Sequence, residues 1–325
     1  MPDDDAPLLD VARVRAALAG TRFAGVRYVR ETASTNDDAA ALLGDPRASG
    51  ATLVAEFQRA GRGRKPGRSW IAPPGSALTF TTILPDAIAA SALWAVPFWT
   101  ALTVADGVES ACGVRLDLRW PNDLDLGPRK AAGILCVSRV AGPEAFVGCG
   151  IGLNVRRPPD SAAAAIEPPP AYLSDGAKHA EREAVLAGIL GAMDALNDLL
   201  NRPADVARAW EERAALRGRP YRLRLDADGS IVAGTALRLG PEGGLVLSAG
   251  GRERIVHLAD ARVASGTERP PGPENQTGSG QEDDRPDEAD RAADPQVVRC
   301  AEDGEAAADQ REDDREPEQQ RPSHR

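Results

Sequence analysis

Residues 53–84 read LVAEFQRAGRGRKPGRSWIAPPGSALTFTTIL, with a glycine- and arginine-rich run at 61–70 between two apolar segments. The apolar segments 53–57 and 77–84 are predicted strands because Gly and Pro bound them, so the run between them is a loop. Glycines let backbone N–H groups approach a ligand closely, and arginine side chains match carboxylate and phosphate oxygens in pairs. RNA-binding arginine–glycine tracts are repetitive and unanchored, whereas this run is single and anchored. We therefore expect the loop to bind a small anion.

Outward from this loop, strand and helix patterns occur on both sides. Upstream, the sequence predicts a helix at 8–18, a strand at 26–29 and a helix at 37–43. Downstream, it predicts a turn at 121–123 and these further elements: an apolar helix at 94–114, strands at 115–120, 130–137 and 146–155, and amphipathic helices at 184–200 and 205–216.

The pattern changes after Arg217. Four short strands with glycine turns are predicted there, as a small barrel of about 50 residues requires, and we place a second domain at 217–265. Residues 266–325 contain 18 Asp and Glu, 8 Lys and Arg, and no aromatic residue. Such a segment buries too little apolar surface to offset its chain entropy, so we expect it to be disordered.

The charge and composition of the chain exclude several classes of function. The chain has 49 acidic and 39 basic residues, so residues 1–265 carry 31 of each and the net charge of −10 belongs to the tail. A neutral folded part disfavours nucleic-acid binding. The cysteines have no CxxC spacing and the three histidines form no triad pattern, so neither a zinc site nor imidazole-based catalysis is expected. The chain shows no apolar signal or membrane segment, which predicts a soluble, cytoplasmic protein.

Ser34, Thr35 and Asn36 lie at the predicted junction between the strand at 26–29 and the helix at 37–43. Such residues commonly cap a helix by accepting hydrogen bonds from its first N–H groups. Side chains at this junction can also face a ligand. The sequence leaves both interpretations open.

Five segments along the chain carry a resemblance to a known family. In order, they are Ser34-Thr35-Asn36, Gln58-x-x-Gly61-Arg62-Gly63-Arg64, Arg119-Trp120-Pro121-Asn122-Asp123, Lys130-x-x-Gly133-Ile134-Leu135 and Gly150-Ile151-Gly152-Leu153-Asn154-Val155. Together they resemble biotin–protein ligases, the enzymes that biotinylate the carrier domain of acetyl-CoA carboxylase, in the monofunctional form. The resemblance implies an α+β fold with a mixed central sheet and flanking helices, of the class II synthetase-like type. It also implies a catalytic domain at 26–216, after an N-terminal lead-in at 1–25, and an SH3-like β-barrel at 217–265. The disordered acidic tail expected at 266–325 has no counterpart in the family.

The resemblance also implies a reaction and a set of site residues. In the family, the biotin carboxylate attacks the α-phosphate of ATP to give biotinyl-5′-adenylate, which a carrier lysine then attacks. The implied catalytic residues are Lys130, Arg64 and Asp123. The implied biotin-binding residues are Ser34, Thr35, Asn36, Gln58, Arg62, Gly63, Arg64, Lys130 and Gly133, and the implied ATP-binding residues are Arg64, Arg68, Trp70, Asn122 and Asn154. Mg²⁺ is expected with ATP, and no metal site of the protein's own is expected.

Three other functions agree less well with the sequence. A lipoate– or octanoate–protein ligase shares the fold, but the Ser-Thr-Asn and Gly-Arg-Gly-Arg segments favour biotin. A biotin-sensing repressor needs a winged helix-turn-helix of about 60 residues, and only about 25 residues precede the first predicted strand, so specific DNA binding is not expected. Lys130 and the two loop arginines argue against a catalytically dead binding module. The expected partner is a biotin carboxyl carrier protein, and the expected state is a monomer or weak homodimer.

The loop departs from the family pattern at one point. Lys65 and Pro66 stand where the family usually has one residue between its arginines and the next glycine. The roles assigned to Arg68 and Trp70 depend on how the chain accommodates this extra residue.

Overall fold

The computed structural model describes residues 8–65, 67–159, 166, 168–257 and 261–263. The predicted tail at 266–325 lies outside these residues. The described strands of the first sheet are, in chain order, β1 (Val26–Thr32), β2 (Thr52–Gln58), β3 (Ala77–Ile83), β4 (Ile88–Ala89), β5 (Asp117–Arg119), β6 (Asp123–Leu126), β7 (Arg129–Ala141) and β8 (Glu144–Asn154). Their order across the sheet is β1-β2-β3-β8-β7-β6-β5, with β4 also paired to β8.

The sheet is mixed, because β1 and β2 are parallel and the other paired strands are antiparallel. Every residue of β3 is buried, so this central strand is covered on both faces. Its sequence, ALTFTTI, accordingly lacks charged residues. The predicted α+β fold with a mixed central sheet is confirmed.

The helices pack beside this sheet. They are α1 (Val11–Ala17), α2 (Thr35–Ala40), α3 (Val96–Cys112), α4 (Arg182–Ala195) and α5 (Pro203–Arg213). A Cβ on Gly107 of α3 would lie 2.4 Å from the Cα of Ile189 on α4, so a glycine is required where these two helices cross. Within the described ranges, no helix combines the length and apolar character that crossing a lipid bilayer requires.

The helix predicted at 94–114 is shorter in the structure. A 3₁₀ segment, Ala90–Ala95, precedes it, and the α-helix begins at Val96 with Pro97 in its first turn, where the missing N–H is tolerated. It ends before Gly113, whose φ of 72° is a left-handed conformation that glycine adopts readily. The general position of the helix was therefore predicted, but its start was not.

A second, antiparallel sheet follows α5. It consists of β9 (Pro220–Leu225), β10 (Ile231–Leu239), β11 (Leu245–Ala249), β12 (Arg252–Val256) and β13 (Ala261–Val263), in the order β12-β11-β10-β9-β13. The sequence predicted four strands here, and the described residues contain five. The apolar residues of 231–239 belong to one strand, and the three-residue β13 was missed because so short a segment carries little pattern.

The turn predicted at 121–123 also needs correction. The chain does reverse there, through a cis Trp120–Pro121 peptide bond, but Asp123 already begins strand β6. Asp123 pairs with Arg119 on β5 and with Gly133 on β7. Strand β6 was not predicted, because its four residues follow directly on strong turn signals.

Glu56 and Arg182 form a buried ion pair that the sequence did not reveal. Arg182 Nη1 lies 2.5 Å from Glu56 Oε1, and the two side chains are only 4% and 6% exposed. Glu56 also accepts hydrogen bonds from Tyr28 Oη at 2.9 Å and from Gly75 N at 2.6 Å. The pair therefore joins α4 to β2, and Glu56 also holds Gly75 in the segment that leads into β3.

Candidate active site

A pocket lies on the first sheet beside the start of α2. Its walls come from α2, the end of β2, the glycine- and arginine-rich loop, and strands β3, β7 and β8. The residues that line it are Ser34, Thr35, Asn36, Gln58, Arg62, Gly63, Arg64, Trp70, Thr79, Phe80, Asn122, Lys130, Gly133, Ile134, Leu135, Gly150, Ile151 and Gly152.

The start of α2 presents polar side chains to this pocket. Ser34 occupies the N-cap position, but its side chain makes no capping hydrogen bond. Thr35 donates from its backbone N to Gln58 Oε1 at 2.8 Å, and its Oγ1 lies 3.1 Å from the same oxygen. Ser34, Thr35 and Asn36 are all buried. Of the two interpretations left open by the sequence, the structure therefore favours a pocket-facing role over side-chain capping.

The glycine- and arginine-rich loop folds back on itself as a narrow hairpin. Trp70 N donates to Gly61 O at 3.0 Å, and Gly63 N donates to Arg68 O at 2.7 Å. A Cβ on Gly61 would lie 2.4 Å from Trp70 O, so the two sides of the hairpin approach this closely only because residue 61 is glycine.

The two pocket arginines have different surroundings. Arg62 donates from Nη1 to Asp37 Oδ2 at 3.0 Å, and this hydrogen bond raises the pKa of the Arg62 guanidinium. Arg64 is half-buried, and burial lowers its pKa, while the carboxylates of Asp123 and Asp226 act in the opposite direction. A partly desolvated guanidinium interacts more strongly with an anion than a fully hydrated one does. Arg64 is therefore the better placed of the two to bind a buried anion.

Lys130 forms an ion pair with Asp123 at the other side of the pocket. The two charged atoms, Lys130 Nζ and Asp123 Oδ1, are 2.6 Å apart. The ammonium group passes over Gly133, where an added Cβ would lie 3.0 Å from Nζ. Asn122 Nδ2 donates to Ile134 O at 2.8 Å and thereby fixes the turn that precedes Asp123. Glycine at position 133 thus leaves room for the lysine beside its carboxylate.

Trp70 lies against the strand that forms the pocket floor. A Cβ on Gly152 would come within 2.3 Å of the Trp70 ring, so the ring packs directly on the backbone of β8. Trp70 Nε1 is buried and makes no hydrogen bond. A buried donor without a partner is rare in folded proteins, and here it lies on a pocket residue where a ligand acceptor would satisfy it.

The second sheet contacts residues of this site and of its surroundings. Lys65 in the loop forms an ion pair with Asp226, which follows β9. Trp120, at the turn that precedes Asp123, donates from Nε1 to Gly243 O at 3.0 Å. Lys65, one of the two residues that stand where the family usually has one, thus contacts the second sheet.

Most of the predicted site residues come together in the pocket. Arg68, Asp123 and Asn154 do not line it: Arg68 is exposed on the hairpin, Asp123 contacts the pocket through Lys130, and Asn154 is buried at the end of β8. The roles of all the predicted site residues stay predictions. The pocket floor consists of Thr79, Phe80, Ile134, Leu135, Gly150, Ile151 and Gly152. Five of these residues belong to two of the segments that carry the family resemblance, but they were assigned no role. Thr79 and Phe80 were predicted only as part of a strand.

The arrangement suits a ligand with three chemically different parts. Ser34, Thr35 and Gln58 offer hydrogen bonds to a polar head, the sheet offers an apolar floor, and the cations offer binding to an anionic end. Two anions brought together on this surface would be stabilised by Arg62, Arg64 and Lys130. In the described part of the chain, no cluster of three or more His, Cys, Asp or Glu side chains could hold a metal ion.

Comparison with known proteins gives a family and several close relatives. The model of the biotin/lipoate A/B protein ligase family matches residues 28–154. A biotin–(acetyl-CoA-carboxylase) ligase of Paracoccus denitrificans is 36% identical over 238 residues, which cover 67% of this chain and 95% of that protein. A protein of the same name from Mycobacterium tuberculosis is 30% identical over 263 residues, covering 78% of this chain and 95% of that protein.

Solved structures share the same fold. A biotin protein ligase from Aquifex aeolicus, in complex with biotin and ATP, has a TM-score of 0.59 and 20% sequence identity, covering 74% of this chain and 98% of its own. The apo structure of that protein has a TM-score of 0.54 over the same shares of the two chains. At this identity the likeness shows the fold alone.

Proposed function

The chain belongs to the biotin protein ligases of the biotin/lipoate A/B protein ligase family, and from this premise we propose that it biotinylates one lysine of a biotin carboxyl carrier protein. The reaction would use ATP and pass through biotinyl-5′-adenylate. One observation supports the proposal. A single pocket is lined by the polar side chains of Ser34, Thr35 and Gln58 and by the cations Arg64 and Lys130.

In the first step, a biotin carboxylate oxygen attacks the α-phosphorus of ATP. The new C–O–P linkage forms as the bond from the α-phosphorus to the bridging oxygen breaks, and pyrophosphate leaves. Because two anions must meet, their repulsion is a large part of the barrier. Arg64 and Lys130 would lower it by binding the carboxylate and the phosphate while negative charge develops. Arg62 and Gly63 would line the same side of the adenylate.

In the second step, the neutral ε-amine of the carrier lysine attacks the acyl carbon, the C–N bond forms and AMP leaves with the C–O bonding electrons. A proton must leave the amine. Asp123 carries a carboxylate 2.6 Å from the Lys130 ammonium and is 30% exposed, so it can be reached from solvent. We propose that Asp123 orients the incoming amine or accepts its proton.

The remaining roles follow the chemistry of each group. Ser34, Thr35, Asn36 and Gln58 would surround the ureido ring of biotin, since a buried polar head needs hydrogen-bonding partners. Gly133 would let its backbone approach biotin. The adenylate would be bound by Trp70, Asn122, Arg68 and Asn154. Mg²⁺ would be held by the ATP phosphates, and we assign it no protein ligand and no step.

We also propose that the second sheet, β9–β13, is an SH3-like barrel forming its own domain at 217–265. Its contacts through Asp226 and Gly243 with the loop and with Trp120 support a role beside the pocket. The domain boundary itself remains a prediction.

The first half of the reaction can be tested without a carrier. Purified protein is incubated with biotin and Mg-ATP, and the acid-quenched mixture is examined for biotinyl-5′-adenylate and pyrophosphate by mass spectrometry. We expect both products in equal amounts up to about one adenylate per protein, because a water-excluding site retains the reactive anhydride. Lipoate is run in parallel. Adenylate formation from lipoate but not from biotin would replace the proposal with a lipoate ligase.

Replacement of Gly152 by Ala should disrupt the proposed adenylate site. The new methyl group would lie within 2.3 Å of the Trp70 ring and would force the ring out of place. A displacement of about 1 Å in a binding group can cost up to 100-fold in rate, so we expect the KM for ATP to rise at least about tenfold. The control is Gly191→Ala on α4, where nothing lies within 4 Å of the added Cβ. An unchanged KM for ATP in Gly152→Ala would show that Trp70 does not serve the nucleotide.

A further inference from the structure

Three strands of the first sheet meet the start of α2 along one row of residues. Thr81 on β3 and Leu135 on β7 both pair with Gly150 on β8, which lies between them. Asn36 lies on this row, because a Cβ on Gly150 would come within 2.2 Å of Asn36 Oδ1. Glycine at position 150 therefore lets the start of α2 rest directly on the sheet.

The side-chain amide of Asn36 is bonded at both ends to this row. Its Nδ2 donates to Leu135 O at 2.9 Å, and its Oδ1 accepts from the Thr81 hydroxyl at 2.7 Å. Asn36 is buried, and a buried amide with both ends bonded is held in one orientation. Much of the hydrogen-bonding capacity of Asn36 is thus used within the protein.

The Thr81 hydroxyl links Asn36 to a second pocket residue, Thr35. It lies 2.8 Å from Thr35 Oγ1, and Thr35 in turn is bonded to Gln58. Thr81 itself is fully buried and is absent from the pocket lining, so it can act only through its neighbours. A hydroxyl has one proton and can also accept a hydrogen bond, so the Thr81 hydroxyl can donate to Asn36 Oδ1 and accept from the Thr35 hydroxyl. One buried hydroxyl on β3 therefore contacts both Thr35 and Asn36.

We propose that Thr81 is a positioning residue for biotin, whose hydroxyl holds Thr35 and Asn36 so that Ser34, Thr35 and Gln58 keep one arrangement toward the ureido ring. The inference rests on the proposed function. Without the Thr81 hydroxyl, the buried oxygen Asn36 Oδ1 loses its hydrogen-bond donor. Because an unpaired buried acceptor is costly, the Asn36 side chain and the start of α2 would shift toward another donor.

The test is the dissociation constant for biotin, measured by calorimetry without ATP, in the nearly isosteric variant Thr81→Val. We expect binding about tenfold weaker than wild type, the equivalent of one lost hydrogen bond. The KM for ATP, measured at saturating biotin, should stay near the wild-type value. Thr81→Ser keeps the hydroxyl and should restore biotin binding.

Thr82→Val is the matched control. Thr82 is the next residue on β3, is equally buried and faces the opposite side of the strand, where its hydroxyl lies 3.1 Å from that of Thr52. This variant also loses a buried hydrogen bond and should be destabilised to a similar degree, yet it should bind biotin as wild type does. Melting temperatures of all variants separate stability from binding.

Two results would overturn the inference about Thr81 and leave the proposed function intact. One is wild-type affinity for biotin in Thr81→Val, and the other is an equal loss of biotin affinity in Thr81→Val and Thr82→Val. Failure of the proposed function would look different. Wild-type protein would then not bind biotin at all, and the inference would fall with it.

Discussion

Replacement of Lys130 by Ala should reduce formation of biotinyl-5′-adenylate by about 10²–10³-fold, with biotin and ATP both saturating. The expected size is that of removing one group that stabilises developing charge in a transition state. Lys130 Nζ lies in the pocket beside Gly133 and 2.6 Å from Asp123 Oδ1. Without the ammonium, the Asp123 carboxylate would lose its cation and would repel a phosphate bound in the proposed site, which adds to the lost attraction.

The measurement is the rate of pyrophosphate release in single-turnover conditions, which isolates the chemical step from product release. Lys130→Arg keeps the charge but not the compact shape of the ammonium group, and we expect it to recover only part of the rate. Lys178→Ala is the control, since Lys178 is exposed and does not line the pocket. If Lys130→Ala retained the wild-type rate, the proposed role of Lys130 would be wrong.

The second large effect concerns stability. Replacement of Arg182 by Met should lower the free energy of unfolding by about 3–5 kcal/mol, because it leaves the buried carboxylate of Glu56 without its cation. The pair is 4% and 6% exposed, so water cannot replace the lost partner. Tyr28 and Gly75 would still donate to Glu56, which keeps the cost from rising further.

Urea denaturation followed by tryptophan fluorescence measures this change through the midpoint and slope. Arg13→Met is the control, because Arg13 pairs with Glu181 at the same end of α4, but both side chains are about half exposed. Exposed pairs contribute little to stability, so its midpoint should hardly move. The double variant Glu56→Gln, Arg182→Met should be more stable than Arg182→Met alone. A small effect of Arg182→Met would show that Glu56 is readily protonated or rehydrated.

Much of the site could be predicted because its residues carry local signals. Arg62 and Arg64 are charged residues among glycines in a loop, and this combination indicates anion binding. Lys130, in contrast, was predicted from the resemblance to biotin–protein ligases. The strands that flank the loop were also predicted, since each is an apolar segment bounded by Gly or Pro. These features depend on neighbours in the sequence, so periodicity and composition reveal them.

The rest depends on contacts between distant segments. Thr81 and Thr82 are identical in type and burial, and only the pairing of β3 with β8 decides which of them faces α2. Glu56 and Arg182 are 126 positions apart, so nothing in the sequence links their charges. Strand β6 was not predicted for a related reason. Its residues form a strand because they pair with β5 on one side and β7 on the other, and not because of their own sequence pattern.

The mass of a carrier protein tests the proposed biotinylation directly. Wild-type protein is incubated with biotin, Mg-ATP and a purified biotin carrier domain, and the carrier is weighed by intact mass spectrometry. We expect a gain of one biotinyl group on a single carrier lysine. No gain with biotin, together with a gain when lipoate or octanoate replaces it, would contradict the assignment of biotin as the substrate.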